Sequence, residues 1–145
     1  MTDVQELKNK WFVDGDFLKS RLEPLVAKAN CHCKITKEGT VIILDSKLPA
    51  KEQVQLVLSA RAIAAQMDSE ISAEVTAADI SKYTGLPTNQ VRARANDTIK
   101  EKFAVASRRG TYRAIAQKVE PFLDAISHSE TADVSAKRKS ASGAL

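Results

Sequence analysis

A chain of 145 residues, 43% hydrophobic and 28% charged, with 5 glycines, 4 prolines and 5% aromatics, has the composition of a globular, helix-rich protein and not of a disordered, fibrous or many-stranded one. No apolar run approaches the roughly 20 residues that cross a bilayer, and MTDVQELKNK lacks the apolar core of a secretory leader, so the expected location is the cytoplasm. The net charge of +4 is unevenly spread: residues 1–75 carry 10 Lys and Arg against 11 Asp and Glu, whereas residues 82–118 carry 9 against 2.

Residues 1–14 read as a short helix or arm, with Val4, Leu7 and Trp11 at helical spacing. After Gly15 and Asp16, an apolar stripe of Phe17, Leu18, Leu22, Leu25, Val26 and Ala29 predicts a helix, which Pro24 either kinks or restarts at a first-turn position. Residues 31–36 and 40–45 read as two strands joined at Lys37-Glu38-Gly39. The second is a continuous apolar run, for which cover on both faces is expected.

Pro49 then opens a long helix from Ala50 to about Met67, with Val54, Val57, Leu58, Arg61, Ala62 and Ala65 on its inner side and Lys51 and Glu52 near its exposed start. Asp68 to Glu74 reads as a loop or short strand around Ile71. Thr76 is placed to cap a helix over 77–83, with Asp79 at the acidic position of a capping box and Ile80 and Tyr83 buried. Gly85 suits a left-handed C-cap, Leu86 plugs the core beneath the turn, and Thr88 is the expected N-cap of a helix running to about Lys102. "FAVAS", "RRG" and "TYRAI" read as strand, turn and strand. A last helix over 116–127 carries Val119, Phe122, Leu123 and Ile126 on one side. Residues 129–145 have little to bury and read as a disordered tail, in which Lys137-Arg138-Lys139 is a solvating triplet.

From Ala50 to Ile115, about half the chain, the order is helix, short strand or loop, helix, tight turn, helix, strand, turn, strand. This order resembles the winged-helix family of helix-turn-helix domains. "VTAADISKYTGLPTNQVRARANDTIKEKF" is similar to that family's second and third helices, and "FAVASRRGTYRAI" to its wing. The resemblance implies an α+β, mainly helical fold. It would comprise a winged helix-turn-helix over 49–128, a helix and β-hairpin layer over 1–48, and the tail over 129–145.

The third helix of this scheme must plant one side in the core and show the other. At about 100° per residue, Val91, Ala95 and Ile99 share an arc of roughly 80° and form the planted side. Asn89, Ala93, Asp97 and Lys100 lie opposite, flanked by Gln90, Arg92, Arg94 and Asn96. Amides pair with adenine edges and arginine with guanine, each good bidentate contact being worth about 1–3 kcal/mol of discrimination. Arg108 and Arg109 at the turn, with Tyr112 and Arg113 on the return strand, suit contact with phosphates or a flanking minor groove. The expected nucleic-acid-binding set is thus Thr88, Asn89, Gln90, Arg92, Arg94, Asn96, Lys100, Arg108, Arg109, Tyr112 and Arg113. Such residues also occur on plain solvated helices and turns; it is the helix and the basic turn together that favour a polyanion.

The expected function is DNA binding, as a transcriptional regulator or architectural factor, nucleoid-associated in a prokaryote. The alternatives are a protein–protein interaction module and an RNA- or ribosome-associated factor. Cys31-His32-Cys33 invites a metal reading, but on a strand His32 points away from both cysteines, and His128 is distant. No metal, cofactor or enzymatic activity is expected, since there is no glycine-rich phosphate loop, no Ser–His–acid arrangement and no HExxH. Two cysteines also suit a reducing compartment. Residues 1–48 bury too little to stand alone and are expected to pack on the Pro49–Met67 helix. Their surplus apolar residues, Trp11, Phe12 and Phe17 among them, suggest a homodimer or partner interface.

Overall fold

In the computed structural model, which describes residue 4 and residues 21–45 and 47–127, the chain runs α1 (Leu22–Ala29), β1 (Cys33–Ile35), β2 (Val41–Ile43), α2 (Ala50–Met67), β3 (Val75–Thr76), α3 (Ala77–Thr84), α4 (Thr88–Lys100), β4 (Ala104–Arg108), β5 (Thr111–Ala114) and α5 (116–127). The fold is α+β and mostly helical, with five helices and two small antiparallel sheets among the described residues. Apart from Val4, which is helical and exposed, the helix expected near residues 1–14 lies outside the described residues, as do Phe17 and Leu18 of the first stripe, the aromatic trio Trp11, Phe12 and Phe17, His128 and the tail over 129–145.

Pro24 falls in the first turn of α1, where its missing N–H has no intrahelical partner to lose. The hairpin strands are shorter than the sequence predicts. Cys31 and His32 lie in a turn that closes α1, the His32 N–H donating to Ala29 O at 2.9 Å, so β1 begins only at Cys33. The register is Cys33↔Ile43, Lys34↔Ile42 and Ile35↔Val41, and Gly39 closes the loop at φ +91°. Cover on both faces of β2 is not found: Val41 is buried, but Ile42 and Leu44 are 49% and 53% exposed. This two-stranded sheet turns one face to α2 and α3 and leaves Ile35, Ile42 and Leu44 exposed.

The expectation of a one-sided α2 also needs correction. Every residue from Val54 to Ala64 is buried, Gln55, Ser59 and Arg61 included. The cause is position: α1, the hairpin, α3, α4 and β5 all pack around this one helix. Arg61 lies inside with no carboxylate partner among the described residues. Its Nε donates to Ser72 O (2.8 Å), Nη1 to Gly39 O (3.2 Å) and Tyr83 Oη (3.5 Å), and Nη2 to Glu74 O (3.4 Å). Carbonyl dipoles thus satisfy a buried cation that would otherwise carry a large desolvation cost.

A single apolar cluster extends from Leu25 through Val41, Leu56, Leu58, Ile80 and Val91 to Leu123 and Ile126. Phe103 and Phe122 meet edge to face at 5.4 Å and join the end of α4 to α5. α5 also returns to α1. Arg21 and Lys28 both bond Glu120, at 2.8–2.9 and 2.6 Å, and this holds the Glu120 carboxyl down at about 2. The second sheet has the order β3-β5-β4, with Val75↔Tyr112 on one side of β5 and Ala106↔Tyr112 on the other. No helix among the described residues is long and apolar enough to cross a membrane.

Candidate nucleic-acid interface

The stretch from β3 to α4 is shaped by hydrogen bonds that begin at Thr76. Its Oγ1 accepts from the Asp79 N–H at 3.1 Å and caps α3. Gly85 ends α3 at φ +78°, its N–H donating to Ser81 O at 2.9 Å. A Cβ at Gly85 would meet nothing within 4 Å, so glycine is required by backbone conformation and not by space. The Thr84 hydroxyl donates to Ile80 O (2.8 Å) and accepts from the Leu86 N–H (3.2 Å), while the Ser81 hydroxyl donates to Leu86 O. The corner is therefore sharp and internally bonded.

Pro87, not Thr88, is the N-cap residue of α4. Its φ of −59° leads the chain into the helix, its carbonyl accepts from the Val91 N–H at 3.0 Å, and Thr88 is the first helical residue. The helix ends at Lys100, short of the expected Lys102, which takes a left-handed φ of +63°.

Val91 and Ala95 are fully buried as expected, but the third anchor is Thr98, with Ile99 only half-buried. The Thr98 hydroxyl can be buried because it donates to Ala95 O at 2.6 Å within its own helix. Moving the third anchor by one residue turns the planted side by about 30°. The row directly opposite the core becomes Asn89, Ala93, Asn96 and Lys100, all exposed, and Asp97 moves to the flank. Thr88, Gln90 and Arg92 are exposed beside it.

The two arginines of α4 have different surroundings. Arg94 Nε, shielded from solvent, sits 3.3 Å from Asp97 Oδ2 as an ion pair without hydrogen-bond geometry. Arg92 reaches the other way: its Nη2 lies 3.8 Å from where a Cβ of Gly110 would be, at the β4–β5 turn. That turn is fixed from beneath, because Gly110 O accepts from the Ala77 N–H at the start of α3 (2.8 Å). Arg109 is exposed at the turn beside Gly110, which has φ +74°. Arg108 is the last residue of β4, not part of the turn, and its Nη2 is 3.7 Å from Glu74 Oε2. Arg113 is exposed, whereas Tyr112 is 4% exposed and part of the core. Alternation along β5 turns Tyr112 and Ala114 inward and Arg113 outward, so Tyr112 contributes packing and no surface.

Both acidic residues of the basic segment are engaged by cations, Asp97 by Arg94 and Glu101 by Lys51 at 2.6 Å. Arg92, Lys100, Arg109 and Arg113 have no acidic partner among the described residues. Sequence reasoning found these cations but missed the approach of Arg92 to the β4–β5 turn, for which no local pattern exists. The cysteines are not paired on one strand as the metal argument assumed. Cys31 is exposed in the turn, and Cys33 is buried, its thiol pushed up to about 11 by burial. No group of three or more His, Cys, Asp or Glu that could hold a metal occurs among the described residues. Comparison with family models, with curated proteins and with solved structures finds no match to this chain.

Proposed function

We propose that the protein binds duplex DNA through a winged-helix arrangement of α2 to β5, as a transcriptional regulator or architectural factor. In this reading α4 enters the major groove and the β4–β5 turn holds the adjoining backbone. The order helix, strand, helix, corner, helix, hairpin, together with the sheet order β3-β5-β4, supports the arrangement. The approach of Arg92 to Gly110 carries the functional reading: it joins the exposed side of α4 and the Arg109 turn into one surface, on which Asp97 and Glu101 already have cation partners. Asn89, Gln90 and Asn96 supply amides for base edges, and Arg92, Lys100, Arg109 and Arg113 supply charge for phosphates.

The test is a fluorescence-polarisation titration of the full chain against mixed-sequence duplex DNA at 50 and 200 mM salt. Binding is expected to weaken roughly 10- to 1,000-fold between the two, as counterion release by a few phosphate contacts requires. Arg109→Glu should lower affinity for all sequences alike. Lack of retention on duplex DNA at low salt overturns the proposal, and stronger competition by single-stranded RNA than by duplex DNA redirects it to RNA.

A further inference from the structure

We infer that the base pairs facing the middle of α4 are A·T pairs, read from the major groove by Asn96, Asn89 and Ala93, with the arginines confined to the flanks. This rests on the duplex-binding reading above and adds to it the class of sequence that is read.

The row opposite the buried Val91, Ala95 and Thr98 holds Asn89, Ala93, Asn96 and Lys100, within an arc of about 60°. It contains no arginine. Arg94 lies to one side, beside Asp97, and Arg92 to the other, at the Gly110 turn. Both guanidiniums are thereby turned from the line along which the helix would meet base edges. From Asn89 to Asn96 the helix rises about 10 Å, the height of about three base pairs at 3.4 Å each.

The chemistry of that row is selective. Guanine shows two acceptors in the major groove, N7 and O6, and so calls for two donors on one side chain. Adenine shows one acceptor and one donor, N7 and N6–H, which a primary amide matches by donating and accepting at once. Asn96 is exposed and makes no hydrogen bond among the described residues, so both of its polar atoms are available. Asn89 is partly engaged: its Oδ1 accepts from the Gln90 N–H at 2.9 Å, which leaves one Oδ1 lone pair and the Nδ2 donors. A lone Nδ2 donor suits guanine N7 and O6 as well as adenine N7 and thymine O4, so Asn89 supplies affinity and Asn96 the selectivity. Ala93 lies between the two amides, where its methyl can pack on the C5-methyl of thymine and its small size lets the helix come close. Lys100, a turn beyond Asn96, is placed at the exit of the helix for phosphate.

The experiment compares two duplexes of equal length with identical G·C clamps, one with a mixed A·T centre of twelve base pairs and one with a mixed G·C centre. A third repeats the A·T duplex with 7-deazaadenine, which removes N7 from the major groove and leaves the minor groove unchanged. The full chain is expected to bind the A·T duplex roughly tenfold or more tightly than the G·C one, and to lose most of that preference with 7-deazaadenine. Asn96→Ala should lose it likewise while keeping the native thermal unfolding midpoint. Equal affinity for the A·T and G·C duplexes overturns the inference and leaves duplex binding standing. A preference undiminished by 7-deazaadenine also overturns it, since the pairing of Asn96 with adenine requires N7. Failure to bind any duplex at low salt removes the duplex reading and this inference together.

Discussion

Arg92 Nη2 lies 3.8 Å from the point at which a side chain at Gly110 would begin, although 18 residues separate the two in the chain. This approach links two elements, a helix planted through Val91 and a hairpin planted through Tyr112. Arg92→Ala is expected to lower affinity for duplex DNA severalfold at every sequence and to leave stability within about 0.5 kcal/mol, since the residue is exposed. Polarisation titrations beside thermal melts check both halves.

Asp97 offers a gain-of-affinity test. It stands beside the exposed row of α4 and holds Arg94 Nε at 3.3 Å. Asp97→Asn removes a negative charge from the exposed side of α4 and frees a positive one, at a stability cost of about 0.2–0.5 kcal/mol for a partly exposed i,i+3 pair. Duplex affinity should rise severalfold and its salt dependence should steepen. An unchanged salt slope would mean that Arg94 stays off the phosphates even when released.

The corner yields a prediction about stability alone. Gly85→Ala has room for its methyl but must hold φ +78°, so it is expected to cost about 1–2 kcal/mol in denaturant unfolding. Gly85→Asn should cost less, because asparagine tolerates the left-handed region. Thr84→Val is expected to destabilise by about 1 kcal/mol, through loss of the hydroxyl that serves Ile80 O and the Leu86 N–H.

The junction of α1 with α5 should be visible in the pH profile. Hydrogen bonds from Arg21 and Lys28 hold the Glu120 carboxyl at about 2, against an ordinary 4.5. The unfolded chain therefore takes up this proton before the folded one does. The contribution of Glu120 is complete above about pH 4.5 and fades as the pH falls toward about 2. Glu120→Gln should flatten that part of the curve of stability against pH, measured by thermal melts from pH 2 to pH 6. A variant whose curve overlays the wild type would remove Glu120 from the account.

Much of the corner was legible because its chemistry is local. A threonine three residues before the N–H it caps, and a glycine where φ turns positive, are written in adjacent letters. The planted side of α4 was legible at Val91 and Ala95 but not at Thr98, since a threonine counts as polar until its hydroxyl is seen bonded to Ala95 O. Tyr112 was misplaced for a related reason. An aromatic beside arginines suggests a surface, and only the pairing of β5 between β3 and β4 shows which of Tyr112 and Arg113 turns inward. The burial of α2 on all sides and the meeting of Arg92 with Gly110 depend on elements distant in sequence, and no periodicity reports them.

Four oxygens, two from the loop before β3, one from α3 and one from Gly39 in the hairpin ahead of α2, converge on Arg61. A fragment trimmed to begin at Pro49 would strip the Gly39 oxygen away, along with the roof it forms over the guanidinium, and would admit water to the joint between α2 and α3. The segment from α2 to β5 is thus not a detachable head: whoever shortens this protein to isolate it must keep the hairpin or lose the posture of α3 and α4.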